Sequence, residues 1–511
     1  MNFPNPWPGG KWSLRDIMDY ELIAAEALVR MAQQQRETYV RNFVTVGRRQ
    51  LEMGRTQAPH GWRIPKQQWD AGAARQLVDV LALGGVEAYE TGDAWVIPAA
   101  QPYRAHVKDL LEAQQFPKME QYPGGPPQRP YDVAGWTLSM QMGVRVEPLA
   151  QAPTLAANAR PVAPPALPAW RTPGASTAAP RVAQPLARAT FTCERRNDDA
   201  TRSLWRFLRA EGQAAMTAER YYVGGLNVER DADIPAGCVV AGVPAIVPAN
   251  AQALARAPRV GLYRPWTSNM DEGWTRWVLE QYGIPYVTVT DSMVKASGLR
   301  DHFDVIIVPD MTLREAREGQ SPSRVPPAYA GGLGTAGLGQ LQAFASEGGT
   351  LVLLDRASEL ATGAMGVGIR RITVPTRLDD EEEEDRGGRD SARVRSEPLY
   401  APGSVLRVLV DRTHPMAAGM PDTAAVYFTN STTFDVPAGS TARIVARYPE
   451  RAADILLSGY LQGAANIAGK AALVEAPVGR GRVVLFGFRP QHRGQAVGTF
   501  KLLFNALLPA P

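Results

Sequence analysis

The feature that most constrains the fold is the alternation of short apolar strands and amphipathic helices in the second half of the sequence. Segments such as Val260–Tyr263 and Thr350–Leu354 are apolar along their whole length and are separated by helical patterns that end at glycines. Such strands are typical of a parallel sheet covered on both faces by helices. The sequence therefore predicts a flavodoxin-like, doubly wound α/β domain over residues 259–511. A turn at Val478–Gly481 would add an antiparallel edge.

Two shorter segments ahead of this domain each follow the order strand, helix, strand. In the first, strands at Trp62–Pro65 and Val86–Tyr89 flank a helix that begins at Asp70; in the second, a strand around Cys193 precedes a helix that begins at Asp198. Aspartate is a preferred residue at helix starts because its carboxylate accepts free backbone N–H groups. The sequence predicts an α/β chain divided into N-terminal helices (1–55), a small α/β unit (56–148), an Ala/Pro-rich linker (149–186), a second small α/β unit (187–258) and the doubly wound domain (259–511), with an acidic loop near 379–390.

The first predicted helix has an apolar face with no predicted neighbour. Ser13 and Asp16 have the spacing of a capping box, in which each side chain bonds the backbone of the other residue. Apolar residues then recur at intervals of three and four, namely Ile17, Tyr20, Ala24, Leu28 and Met31. Because an exposed apolar stripe favours association, we expect this helix to contact another protein or a second copy of the chain.

The charge distribution argues against two classes of partner. The net charge of +4 and the pI near 9.0 come mostly from scattered arginines, without a Lys/Arg block or interleaved aromatic residues. The acidic run Asp379–Asp385 favours a solvated loop, since like charges at this density repel. The longest weakly polar stretch, Cys238–Ala255, is interrupted by prolines and amides. We therefore predict neither a nucleic-acid partner nor a membrane span.

The cysteines and the first residues bear on cellular location. Cys193 and Cys238 are too far apart in sequence for a zinc ribbon or a Cys-x-x-Cys pair, so buried free thiols are expected, and the sequence does not decide whether they pair. The N-terminus lacks a basic segment followed by an apolar core, so no secretory signal is predicted. The sequence alone leaves the location of the chain open.

Several segments together resemble one enzyme family. They are Asn2–Leu22, Gln101–Pro117, Pro130–Val144, Gly348–Ala361 and Gly479–Leu508. These segments resemble the C-terminal half of large bacterial zinc carboxypeptidases of the carboxypeptidase A-like family. The resemblance implies a family activity that removes C-terminal residues from peptides, a zinc ion in complete members and export of those members to the periplasm or beyond. It also implies that residues 1–55 correspond to the last helices of a peptidase domain.

The zinc-binding motif of that family is not found in this chain. Such a peptidase uses a His-x-x-Glu pair, a second distant histidine and a glutamate that acts as general base. The chain has five histidines, His60, His106, His302, His414 and His492, and the residues three places after them are Arg63, Asp109, Val305, Ala417 and Gln495. We therefore assign no catalytic residue and no metal ligand, and we expect no cofactor in this chain.

The doubly wound domain resembles the class I glutamine amidotransferase fold. In that family the strand equivalent to Thr350–Leu354 leads into a tight elbow that carries a cysteine nucleophile. Here the elbow reads LDRASE over residues 354–359 and contains no thiol. Ser358 lacks the G-x-S-x-G flanks of a serine nucleophile, and together with Glu359 it more simply begins a helix. The resemblance therefore implies the fold without amidotransferase activity.

Ligands of doubly wound domains bind beyond the carboxyl ends of the strands. The residues at those ends are the ligand-pocket candidates: Arg264, Trp266, Asp310, Asp355, Glu359, Arg489 and His492. We expect them to converge in one crevice. The structural alternative is that Asp310 and Asp355 cap the helices that follow them and that Arg489 pairs with one of the two carboxylates.

Three classes of function follow from these patterns. The first is a non-catalytic accessory region that positions or binds peptide for a metallopeptidase catalytic domain. The second is a stand-alone binding or scaffold protein that holds a small or glycan-like ligand in the crevice. The third is a hydrolase with an unrecognised site at Ser358, Glu359 and His492. The family resemblance favours the first, with either a metallopeptidase domain or a second copy of the chain as the partner of the N-terminal helix.

Overall fold

A computed structural model describes most of the chain. The described residues are 10–122, 125, 127–128, 130–165, 188–209, 213–227, 238–240, 247–266, 269–372 and 399–509. The predicted acidic loop near 379–390 lies outside these residues, as does the predicted linker from residue 166 onward.

Within the described residues the chain has mixed α/β secondary structure, as predicted. The helices are α1 (Leu14–Gln34), α2 (Arg36–Thr56), α3 (Ala71–Leu83), α4 (Arg104–Leu111), α5 (Leu138–Gln141), α6 (Asp198–Arg209), α7 (Met270–Gln281), α8 (Asp291–Lys295), α9 (Leu299–His302), α10 (Leu313–Glu318), α11 (Gly334–Ser346) and α12 (Val497–Ala506). The strands of the first half are β1 (Gly61–Pro65), β2 (Tyr89–Glu90), β3 (Ala94–Pro98), β4 (Glu147–Leu149), β5 (Arg160–Pro161), β6 (Arg188–Glu194), β7 (Gln213–Met216), β8 (Arg220–Asn227), β9 (Cys238–Val240) and β10 (Gln252–Leu254). The strands of the second half are β11 (Val260–Tyr263), β12 (Tyr286–Val289), β13 (Val305–Val308), β14 (Thr350–Leu354), β15 (Arg370–Ile372), β16 (Ser404–Val410), β17 (Thr423–Phe428), β18 (Thr433–Asp435), β19 (Arg443–Arg447), β20 (Leu456–Ser458), β21 (Ala471–Val478) and β22 (Gly481–Phe486).

The N-terminal arm, defined as residues 14–56, consists of α1 and α2 joined through Gln35. It begins with the predicted capping box: the Asp16 backbone N–H donates to Ser13 Oγ at 3.4 Å, and the Ser13 backbone N–H donates to Asp16 Oδ2 at 2.8 Å. No residue of α1 is buried, and Gly54 is the buried residue of α2. Two helices packed side by side would bury the residues between them. The helices of the arm therefore do not form a packed hairpin, and the predicted apolar stripe is exposed.

The first sheet is antiparallel, in the order β4-β1-β3-β2-β5. Helix α3 starts at Asp70 as predicted and packs Leu77 against the same core as Trp62. The strand predicted at Val86–Tyr89 is instead β2, which starts at its last residue and pairs antiparallel with β3. Strand β5 pairs with β2, so this sheet extends into the range predicted as a linker. The Ala/Pro-rich sequence around β5 has no alternating pattern that would indicate a strand.

The second sheet is also antiparallel, in the order β10-β7-β8-β6-β9, and a disulfide crosses it. Cys193 of β6 lies directly opposite Cys238 of β9 and is bonded to it. The expectation of free thiols is therefore wrong. The sequence separation of 45 residues concealed the pairing, because strand register brings the two residues together and spacing alone does not show register.

The third sheet holds strands β11–β22, and its main path runs β12-β11-β13-β14-β22-β21-β19-β16-β17. The first five strands of that path are parallel, as predicted for the doubly wound domain. The remaining strands pair antiparallel and widen the sheet. Strands β21 and β22 form a hairpin in which Val478 pairs with Gly481, which confirms the predicted antiparallel edge.

Helices cover both faces of the parallel strands. On one face, Leu262 and Ile307 share a core with Val278 of α7 and Phe500 of α12. On the other face, the neighbouring strand residue Ile306 shares a core with α8, α9 and α11, through side chains including Val294, Leu299 and Leu341. Successive strand residues point to opposite faces, which explains why these strands are apolar on both faces over most of their length.

Candidate functional site

Three of the sequence-predicted residues meet at the carboxyl ends of the parallel strands. Asp310 follows β13, Asp355 follows β14 and Arg489 follows β22. The Arg489 guanidinium contacts both carboxylates: Nη2 donates to Asp310 Oδ2 at 2.7 Å, and Nε donates to Asp355 Oδ2 at 3.2 Å. The structural alternative predicted that Arg489 pairs with one of the two carboxylates. In the structure it pairs with both.

Two further residues, Arg356 and Asp271, complete what we call the strand-end network. Arg356 Nε and Nη2 donate to the two Asp310 oxygens at 2.9 Å and 2.7 Å, and the Arg356 backbone N–H donates to Asp310 Oδ1 at 3.1 Å. Asp271, in the first turn of α7, places Oδ2 3.7 Å from Arg489 Nη1. The network thus contains three carboxylates and two guanidinium groups.

Burial and nearby charges shift the pKa values of Asp310 and Asp355 in opposite directions. Burial, then the nearby charge of Asp310, raises the pKa of Asp355 to about 7. Burial also opposes ionisation of Asp310, but the hydrogen bond from Arg356 and the charge of Arg489 outweigh it and lower the pKa of Asp310. Asp310 is therefore the anion that holds the two arginines, and Asp355 is the carboxyl group that carries a proton near neutral pH.

Asp355 occupies the elbow that follows β14 in a backbone conformation that side chains rarely adopt. Its φ is +51°, in the left-handed region. The side chain is fully buried, and Ser431 Oγ donates to Oδ2 at 2.7 Å. Oδ1 has no hydrogen-bond partner among the described residues. Strain of this kind persists only where the surrounding contacts fix the residue, and here those contacts come from Ser431 and Arg489.

His492 lies beside the network without joining it. Its ring stacks on Tyr427 with centroids 3.5 Å apart and an interplanar angle of 10°. Burial, then the charges of Arg489 and Arg493, lowers the pKa of His492 to about 3. The imidazole is therefore neutral at physiological pH and packs as an aromatic ring.

The distinctive segment Pro130–Val144 packs against this part of the domain. Arg493 donates to both Asp132 oxygens, at 2.8 Å and 2.7 Å. The backbone N–H groups of Ala134 and Gly135 both donate to the Gly403 carbonyl at 2.9 Å. This segment therefore serves as a seam between the first sheet and the third.

Glu359 lies outside the network and faces an open cleft of about 1060 Å³. Its Oε1 is 3.3 Å from Arg371 Nη1, and its Oε2 accepts from the Leu313 backbone N–H at 3.2 Å. Helix α10 and the loop after it form the rest of the cleft wall, including Arg314 and Arg324. The cleft is therefore lined mainly by residues that follow β13 in sequence, and Arg489 is not among its lining residues.

Arg264 and Trp266 are exposed and also remain apart from the network. Trp266 meets the Tyr329 ring edge to face at 4.9 Å, and both rings are about half exposed. Among the described residues the Arg264 guanidinium has no hydrogen bond or ion pair. The seven predicted residues thus divide into a buried trio, a stacked histidine and three groups nearer the surface.

The proposed hydrolase residues are not assembled as a catalytic unit. Ser358 Oγ is buried and has no hydrogen-bond partner among the described residues. Glu359 bonds the start of α10, and His492 stacks on Tyr427. No grouping of His, Cys, Asp and Glu that could hold a metal ion occurs in the part of the chain that the structure describes.

Sequence reasoning missed three residues of the site. Arg356 directly follows Asp355, so its position at a strand end was a usable signal. Asp271 comes from the first turn of a helix, where an acidic residue is favoured by the helix dipole whatever its other role. Ser431 is 76 residues from Asp355 in sequence, and only the fold joins them.

Comparison with known proteins gives weak structural likenesses. No family model matches the chain, and no curated protein matches it. A cold-adapted β-galactosidase from Rahnella sp. R3 is 14% identical at a TM-score of 0.27, over 48% of this chain and 31% of that one. A putative ThuA-like protein from Bacteroides uniformis is 10% identical at 0.28, over 51% and 95%. A putative GMP synthase protein from Thermoplasma acidophilum is 9% identical at 0.28, over 49% and 95%. The match spans about a third of the β-galactosidase, and likenesses this low assign no function.

No described helix has both the length and the apolar character needed to cross a membrane.

Proposed function

We propose that this chain is a non-catalytic accessory region of a zinc-carboxypeptidase-like protein and that it binds peptide for a metallopeptidase domain. The observation that carries the proposal is the elbow after β14. An enzyme of the amidotransferase type uses that position for a nucleophile, which needs an activating base and access to substrate. Asp355 is fully buried there and bonded to Arg489 and Ser431.

The strand-end network argues against chemistry at this edge of the sheet. Both guanidinium groups are held by Asp310, whose side chain is 1% exposed. Groups fixed in this way cannot exchange partners with a substrate unless the network opens, which would leave buried charges unpaired. The network therefore holds three strand ends together and supports the surface around it.

The cleft beside α10 is the surface on which we place the peptide. It is lined by charged groups of both signs, with Arg314, Arg317 and Arg324 among the cations and Glu359 among the anions. A peptide presents backbone donors and acceptors together with a terminal carboxylate, and a guanidinium matches a carboxylate in two parallel hydrogen bonds. Arg324 is exposed, and no ion pair of its guanidinium occurs among the described residues.

The first experiment measures zinc content and hydrolysis with the purified chain. A peptide with a free C-terminus and the same peptide with an amidated C-terminus are incubated with the protein, with and without added zinc. We expect no stoichiometric zinc and no cleavage of either peptide. One zinc per chain together with cleavage of the free peptide alone would show that the chain is itself a carboxypeptidase, and the proposal would fail.

Binding of the same two peptides tests the positive half of the proposal. Calorimetry is expected to show tighter binding of the free C-terminus, and Arg324→Ala is expected to weaken that binding about tenfold, as loss of one charge-assisted contact would. Arg30→Ala, in the exposed arm, is the matched control and should leave the affinity unchanged. Equal affinity of both peptides for the wild-type chain would argue against recognition of the terminal carboxylate.

A second candidate function, glycan binding, is favoured by the exposed Trp266–Tyr329 pair. Aromatic faces pack against the apolar C–H faces of sugar rings, and half-exposed aromatic side chains cost free energy in water unless a ligand covers them. A titration of oligosaccharides followed by tryptophan fluorescence tests this candidate. Saturable quenching that Trp266→Ala removes would favour it over peptide binding.

A further inference from the structure

The N-terminal arm (residues 14–56) presents an apolar surface that the rest of the described chain does not cover. Large apolar side chains are exposed from its start as far as Val46, among them Ile17 and Leu28 in α1 and Phe43 in α2. Phe43 is 81% exposed. Isolated apolar residues on a surface are common, but a continuous row of them marks an interaction site.

The row continues without interruption from α1 to α2. Tyr39 Oη donates to Met31 Sδ at 3.2 Å across the junction at Gln35, so the two helices present one surface. Each helix has 21 residues, and at about 1.5 Å per residue the arm extends to about 60 Å. The exposed row spans residues 14–46, about 50 Å, and a strip of that length and one helix diameter, about 10 Å, covers about 500 Å², of the same order as the ~800 Å² that each partner buries in a stable interface.

Charge divides the arm into two unlike halves. Helix α1 contains four acidic and two basic residues, whereas α2 contains five basic and two acidic residues. Parallel pairing with a second copy would set the acidic halves side by side and the basic halves side by side. Antiparallel pairing sets each acidic half against a basic half.

We propose that the arm pairs antiparallel with the arm of a second copy of this chain, about a twofold axis at Gln35. This axis places Arg49 opposite Glu21, and neither residue has an ion-pair partner among the described residues. It also places Phe43 opposite Ala27, so a large side chain meets a small one. A twofold interface of this kind closes on itself and forms a dimer rather than a filament. The proposal is independent of peptide binding by the third sheet.

Disulfide cross-linking tests the direction of pairing. Cys193 and Cys238 are already bonded to each other, so an added cysteine is the only free thiol of the described chain. Gln35→Cys lies on the proposed axis and is expected to form a covalent dimer under mild oxidation. Thr56→Cys, at the far end of the arm, is expected to remain monomeric on denaturing gels. Cross-linking of both variants would mean parallel pairing, and cross-linking of neither would mean that another partner covers the arm; each result overturns the proposal.

A charge exchange tests the residues of the interface. Glu21→Arg and Arg49→Glu are each expected to weaken dimerisation about tenfold in light scattering across a concentration series, since each creates two like-charge contacts in the dimer. The double variant is expected to return to within about threefold of the wild-type affinity, because both contacts are restored with reversed polarity. All of these side chains are exposed, so circular dichroism should show unchanged folding. A wild-type chain that has the mass of a monomer throughout, or a double variant no tighter than either single one, overturns the proposal.

Discussion

The N-terminal arm exposes apolar side chains to water, whereas the strand-end network buries charged ones. In the arm, apolar side chains such as Phe43 face water. In the network, Asp310 and Asp355 are buried. The network compensates its buried charges within the chain, through Arg356 and Arg489. The arm has no such compensation within the described chain, and in the dimer proposed above a second copy would supply it. The comparison separates a region that is stabilised within its own chain from one whose apolar side chains stay exposed.

The largest expected effect compares two phenylalanines, one in each region. Phe486, in β22, is fully buried, and Phe486→Ala should lower the free energy of unfolding by about 3–5 kcal/mol because it leaves a cavity in a close-packed core. Phe43→Ala, in the arm, should change it by less than about 0.5 kcal/mol in dilute protein. Denaturant unfolding measures both. Similar losses for the two variants would mean that the arm is packed within its own chain.

The next effect tests whether Arg489 compensates the buried carboxylates. Arg489→Leu removes the group that contacts both Asp310 and Asp355, and leaving these carboxyl groups buried without it should lower the free energy of unfolding by about 3 kcal/mol. Arg493→Leu is the matched control, because its pair with Asp132 is half exposed and should contribute about 0–1 kcal/mol. A loss below that of the control would show that water reaches the network.

The sequence predicted the elements of both regions better than it predicted their environments. The arm's capping box, its stripe and the parallel strands follow from spacings of a few residues, and local spacing is sufficient to predict them. The meeting of Asp310, Asp355 and Arg489 followed from one additional rule, that parallel strands present their carboxyl ends at one edge. These residues were predictable because a strand end is a position that the sequence marks.

The remaining features depend on contacts between residues distant in sequence. Ser431 reaches Asp355 only through the folded third sheet, and Cys193 reaches Cys238 only through strand register. Trp266 was expected in the crevice because it follows β11. Instead it contacts Tyr329, which lies on a loop whose path cannot be predicted from a short sequence pattern. Local patterns contain no information about which distant loop will lie beside a strand end.

The disulfide stabilises a region that belongs to neither the arm nor the network. It closes a loop with a sequence separation of 45 residues, and the double variant Cys193→Ala/Cys238→Ala should lower the free energy of unfolding by about 2–4 kcal/mol through a less constrained unfolded state. Thiol titration of the denatured wild-type chain checks the bond itself, with no free thiol expected. Helix content at low temperature should not change, because α1 and α2 have no contact with this bond. Two titratable thiols would show that the bond is absent in solution.

The last effect is a pH dependence that comes from Asp355. Its pKa is raised in the folded protein to about 7, chiefly by burial, whereas an unfolded aspartate titrates near about 3.9. Between these values the folded state binds more protons than the unfolded state, so the contribution of Asp355 to stability is complete below about pH 4 and is lost as the pH rises through about 7. Asp355→Asn keeps the shape and removes the titration, and asparagine tolerates a positive φ. The variant should therefore gain stability relative to wild type between pH 4 and pH 8, by up to about 4 kcal/mol, because each pKa unit corresponds to about 1.4 kcal/mol.

Asp132 provides a control of opposite sign, because its ion pair is at the surface and its charge is favoured. The hydrogen bond from Arg493 lowers the pKa of Asp132, so its contribution is present above the unfolded pKa and is lost as the pH falls through the folded value. Asp132→Asn should therefore lose stability relative to wild type at neutral pH and approach it in acid. The charge of Asp132 acts on His492, but burial lowers the pKa of His492 to about 3, so the folded-state imidazole stays neutral from pH 4 to pH 8 in all three proteins. If the free energy of unfolding of Asp355→Asn runs parallel to that of wild type from pH 4 to pH 8, then Asp355 is ionised in the folded protein. The carboxylates of the network would in that case be solvated like surface charges, and the network would no longer differ from the arm in its exposure to water.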